Sequence, residues 1–89
     1  MTYNPTQTNY GNDGIQHIYR FENSRFSASV VKTPTSYGGK SGLWELAVLL
    51  NGKITYDTPI TNNHDVTGWL TDNDVQDILS QIDSLTETK

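Results

Sequence analysis

The chain contains no cysteine, only three prolines and a single methionine. Without cysteine there are no disulfides, no thiolate metal sites and no thiol nucleophile. No apolar run approaches the ~20 residues needed to span a bilayer, so an integral membrane protein is not expected. The first residues lack the basic start and apolar stretch of a secretory signal, so export is not expected either. Apolar residues make up only 34 % of the 89 positions, and charged residues 18 %. A chain of this length forms one small domain with a modest core. Basic charge is also scarce. Six bases face ten acids, a net charge of −4, which argues against direct, non-specific nucleic-acid binding. The shortage is local: residues 57–88 hold seven acids and no base, whereas residues 1–56 carry a net +2.

What the chain has instead is uncharged polarity. Thr, Asn, Ser and Gln together supply 31 residues. Residues 1–14 are almost wholly polar apart from Tyr3 and Tyr10, and are expected to be a flexible tail ahead of a single domain over 15–89. Residues 15–22 and 25–33 alternate as strands do, with Ile15, His17, Tyr19 and Phe21 on one face of the first and Phe26, Ala28 and Val30 on one face of the second. A turn at Asn23-Ser24 sets Phe21 against Phe26 and Tyr19 against Ala28. The stretch Leu43–Leu50, then Asn51-Gly52, then Lys53–Thr58 reads as a second hairpin. Asn-Gly supplies the positive φ angles of a type I′ turn and places Leu49 opposite Ile54, Ala47 opposite Tyr56 and Val48 opposite Thr55. Because Leu49, Ile54 and Ala47 are apolar in both strands, that side is expected to be the core side. Pro59 ends the strand, and residues 60–70 read as a connection. Thr71 is a good N-cap, with Asp74 three residues on, and Val75, Ile78, Leu79, Ile82 and Leu85 make one stripe of a helix over about 72–85.

The resulting expectation is an α+β fold: an antiparallel sheet of about four strands in two hairpins, with one C-terminal helix on one face. One such helix covers one face only. The other face would expose Trp44, Leu46, Val48, Leu50, Ile18 and Val31, a patch of the kind that marks a binding surface.

Catalytic and ligand motifs are weak. Gly39-Lys40-Ser41 resembles the end of a phosphate loop, but Pro34 stands where that motif needs glycine, and a strand follows where it needs a helix. His17 reads as a packed strand residue and His64 as a loop residue, too few for a metal site. No nucleophile–base arrangement is legible, so no enzyme activity, metal or cofactor is expected. The partner-contact candidates are Tyr37 and Lys40 on the glycine-rich loop, Trp44, Leu46 and Val48 on the sheet, and Asp72 and Asp77 on the acidic helix. Trp69 is expected in the core more than at an interface.

The stretch from Tyr37 to Leu70 carries the Tyr-Gly-Gly loop, Gly-Leu-Trp-Glu-Leu-Ala-Val and Tyr-Asp-Thr-Pro-Ile-Thr. It resembles small proteins of tailed phages and prophages to which no activity is assigned. The resemblance implies an accessory protein acting in the cytoplasm of a bacterial host. By analogy of class, such a protein binds and inhibits or modulates a host protein, in host takeover or anti-defence. The alternative is a homo-oligomer, such as a homodimer, with a structural or assembly role, packed through the outer sheet face; a third reading, ranked below it, is a small ligand-binding protein or enzyme.

Overall fold

The computed structural model describes residues 3–11, 13–22, 24–36, 38–55 and 67–84. The fold is α+β. One antiparallel sheet is built from β1 (Gln7–Gly11), β2 (Gly14–Arg20), β3 (Phe26–Lys32), β4 (Trp44–Leu50), β5 (Lys53–Ile54) and β6 (Thr67–Leu70), and helix α1 (Asp72–Asp83) lies across one face. The strand order is β1-β2-β3-β4, and β5 and β6 share the far side of β4.

Both expected hairpin registers are present. Tyr19 pairs with Ala28 across β2 and β3, and Leu49 with Ile54 across β4 and β5. Asn51 and Gly52 take φ of 53° and 82°, as the Asn-Gly turn requires. Tyr56, expected opposite Ala47, lies outside the described residues, as do Asn23, Pro59 and His64. Helix α1 begins as its sequence dictates. The Asp74 amide donates to Thr71 Oγ1 at 3.1 Å, and the Thr71 amide donates to Asp74 Oδ2 at 3.0 Å, a reciprocal capping box. The bond from the Thr71 amide to the ionised carboxylate, and then the Thr71 hydroxyl, hold the Asp74 pKa below its usual value.

Three expectations are corrected. First, the sheet has six strands, because the polar N-terminal stretch is not simply a tail: residues 7–11 form β1. The loop between Gly11 and Gly14 has two residues, and Asp13 takes φ 61°, so the backbone closes a hairpin without any apolar burial. A row of side-chain bonds reinforces it: Gln7 Nε2 donates to Asn9 Oδ1, Asn9 Nδ2 to Gln16 Oε1 and Gln16 Nε2 to Ser29 Oγ, at 2.9, 3.1 and 2.8 Å. Tyr3 anchors the leading end. Its amide donates to Gln76 Oε1, its carbonyl accepts from Gln76 Nε2, its hydroxyl donates to Asp83 Oδ2, and its ring meets Phe21 edge-on at 5.7 Å.

Second, the core side of β4 is the reverse of the one expected. Phe26, Ala28 and Val30 pair with Leu50, Val48 and Leu46. Leu46 and Val48 are fully buried beneath α1, in one cluster with Tyr19, Phe21, Ala28, Val30, Leu70, Val75, Leu79 and Ile82. Trp44 packs against the edge of that cluster. Strand β4 is apolar on both sides, so alternation alone cannot orient it; its pairing with β3 decides. The opposite face carries the amide row together with Ile18, Val31, Ala47 and Leu49. The residues expected as one patch therefore do not share a surface: Trp44, Leu46, Val48 and Leu50 lie on the helix side, Ile18 and Val31 on the other.

Third, residues 67–70 are a strand within the stretch expected as a connection.

Candidate functional site

The sheet-face candidates, seen from the residues upward, are structural. Leu46 and Val48 have no exposed surface. Trp44 is half-buried and fixed on every side: Nε1–H donates to Asp72 Oδ1 at 2.7 Å, the Lys32 ammonium stands 4.1 Å from the ring centroid, and the His17 ring lies 5.1 Å away. Burial, and then the charge of Lys32, lowers the His17 pKa and favours the neutral ring. Burial, and then Asp72, raises that of Tyr19. This cluster stitches β2, β3 and β4 to the start of α1.

The acidic helix is likewise occupied with internal work. Asp72 holds Trp44, Asp74 closes the capping box, and Asp83 accepts from Tyr3, whose pKa rises because its proton is held in that bond. Asp77 is exposed and has no hydrogen-bond partner among the described residues. Of the four described acids on the helix, three thus serve the helix and its attachments.

The glycine-rich loop is folded inward on itself. Gly39, Ser41, Gly42 and Leu43 direct their amides to the carbonyls of Ser36, Gly38, Gly39 and Gly38. Those amides are consumed, and β4 follows rather than a helix, so the loop does not form a phosphate cradle. Ser36 and Thr33 lock the loop's entry through reciprocal bonds between their side chains and amides. Lys40 is exposed on this frame, while Tyr37 lies outside the described residues.

Gly38 of the loop packs against Trp69, a residue expected in the core. Trp69 is 62 % exposed, in contrast to that expectation. It also takes φ 61°, in the left-handed region that costs a bulky side chain about 1–2 kcal/mol. The cause is a β-bulge. Thr67 pairs with Leu46 and Leu70 with Trp44, so Gly68 and Trp69 together face Glu45 alone. Gly38 closes the arrangement. Its φ is 85°, and a Cβ there would lie 2.9 Å from Trp69 Cα and 3.1 Å from Trp69 N. Only glycine lets the loop approach so closely. A large apolar side chain is therefore held outward on strained backbone, buttressed by a self-bonded loop.

A signal for this was present in the sequence. Leu70 precedes the N-cap Thr71 and Val75 follows four residues after it, the spacing of a hydrophobic staple. Both are buried in the core cluster. Once Leu70 serves the staple, its neighbour Trp69 is free to turn away.

Among the described residues, no group of three or more His, Asp or Glu is placed to hold a metal ion, and no helix is long and apolar enough to cross a membrane. No protein-family model, curated protein or solved structure matches the chain.

Proposed function

We propose that this chain is a non-catalytic accessory protein of the phage and prophage type that binds a host bacterial protein and modulates it, acting in the host cytoplasm. Trp69 is the anchor of the contact. The observation that carries the reading is that a 62 % exposed tryptophan sits at φ 61°. Strained backbone persists only where the surroundings over-determine it, and it concentrates at functional sites. Tryptophan is also the residue most enriched among those that dominate interface energetics. Lys40 is exposed on the same glycine-rich loop whose Gly38 meets the Trp69 backbone.

The test is capture from bacterial lysate with immobilised wild type, Trp69→Ala and Ile54→Ala, followed by affinity measurement on the retained protein. Ile54 is exposed and serves as the control for a general loss of exposed apolar surface. The expected result is one partner retained by wild type and Ile54→Ala, with Trp69→Ala weaker by about thirtyfold, the equivalent of a hot-spot loss of ~2 kcal/mol. Equal retention by all three proteins, or no specific partner, contradicts the reading.

A further inference from the structure

The two edges of the sheet are unlike. On one side β4 is flanked by β5, of two residues, and by β6, of four residues with a bulge. Such short, interrupted strands, one of them bearing Lys53, are poor templates for another strand. On the other side β1 runs for five residues, Gln7-Thr8-Asn9-Tyr10-Gly11, in regular register with β2. It contains no charged residue and no proline, and among the described residues no strand pairs with its outer side. Within Gln7–Gly11 there is no charge, proline or bulge to protect the edge; Pro5 and the out-of-register bond from the Thr6 amide to the Ile18 carbonyl lie just before it.

We propose that β1 pairs with β1 of a second copy of this chain, antiparallel about a two-fold axis through Asn9. The inference rests on the sheet edge and is independent of the role given to Trp69. A two-residue loop closes on Gly11 and Gly14, so Gln7, Asn9 and Gly11 turn their amides toward β2, and Thr8 and Tyr10 turn theirs outward. In the two-fold arrangement Thr8 meets Tyr10 of the second copy, and these pairs exchange the backbone bonds. Thr8 and Tyr10 lie on the helix side of the sheet, so each exposed Tyr10 ring gains a threonine neighbour across the junction.

The other row is complementary to itself as well. Gln7 meets Gly11, whose missing side chain leaves open space with no atom within 4 Å of a Cβ position. Asn9 meets its own counterpart at a non-hydrogen-bonded position, where side chains stand closest. Each Asn9 amide spends one N–H on Gln16 and one lone pair on Gln7, leaving one of each for the other copy. The amide row would then run unbroken through both molecules. No like charges meet at the junction. The acid-bearing helix packs on β3, β4 and β6, away from this edge. A closed two-fold pairing also removes the exposed edge, so assembly stops at two.

Light scattering coupled to size exclusion tests this across a concentration series. Wild type is expected to rise toward twice the single-chain mass of 10.0 kDa. Thr8→Pro deletes only an outward amide and leaves the β1–β2 bonds in place, so it is expected to stay at the single-chain mass with an unchanged circular dichroism spectrum. Should that variant unfold, a charge pair decides. Asn9→Asp and Asn9→Lys are each expected to be monomeric, and their equimolar mixture to form the heterodimer, because residue 9 faces residue 9. A wild type that stays monomeric at the highest concentration overturns the proposal. So does a dimer that survives these substitutions.

Discussion

Replacing Leu79 with alanine will destabilise the chain by about 2–5 kcal/mol, read as a lowered urea midpoint with the slope retained. Leu79 has no exposed surface and lies at the centre of the cluster that joins α1 to β3 and β4. An 89-residue domain has a total stability of only about 4–13 kcal/mol, so the loss takes a large share of it. Little relaxation is available to fill the void. The neighbouring helix positions Val75 and Ile82 are themselves buried, and the facing strand positions are Ala28, Val30, Leu46 and Val48. A change below about 1 kcal/mol would mean that the helix is not seated on this face.

The second large effect concerns Trp44, and its direction separates two accounts of the sheet. Were Trp44 on an exposed binding face, truncation would impair association and spare folding. The observed contacts demand the reverse. Trp44→Ala removes a half-buried indole, its bond to Asp72, the Lys32 contact and the packing of His17. The expected cost is about 2–3 kcal/mol, below the full-burial range because the ring is only partly covered. Trp44→Phe keeps most of the ring and loses the indole N–H; its cost is about 1 kcal/mol, the net worth of one hydrogen bond. Denaturant titration of both variants checks the pair of values. A near-wild-type midpoint for Trp44→Ala would remove the stitching role.

Local chemistry was the legible part of this fold. The Asn51-Gly52 turn dictates its own hairpin register, and Thr71 with Asp74 marks the helix start to the residue. What single-strand patterning cannot supply is orientation. Strand β4 reads apolar on both sides, and only its pairing with β3, a contact between separate hairpins, selects Leu46 and Val48 for the core. Strand β1 is not legible in the sequence for a different reason. Its order comes from backbone pairing, from amide side chains bonded across strands and from Tyr3 fastened to Gln76 and Asp83, none of which shows as hydrophobic periodicity. Of the residues expected to contact a partner, Leu46 and Val48 are core, Trp44 and Asp72 hold each other, and Lys40 and Asp77 are exposed.

The exposure of Trp69, the proposed anchor, is set by tertiary contacts. Tryptophan in a small domain is a sound choice for a core residue, and its composition gives no hint of the bulge that turns it out. The bulge exists because Leu70 must reach the core immediately before the helix cap, while Thr67 must pair with Leu46. Gly38 then has to come within contact distance of the Trp69 backbone from a loop remote in sequence. Those are tertiary constraints, and together they set a costly backbone at an exposed position.

An outward-facing anchor at Trp69 costs stability that the isolated chain does not recover. Urea unfolding of Trp69→Gly against wild type measures this without reference to any partner. Glycine relieves the left-handed backbone at φ 61° and removes a side chain that is mostly solvated. The expected result is a midpoint equal to wild type or raised by up to about 1 kcal/mol. A loss of more than ~1 kcal/mol would show the indole to be a structural prop, and the case for an outward-facing anchor would fail with it.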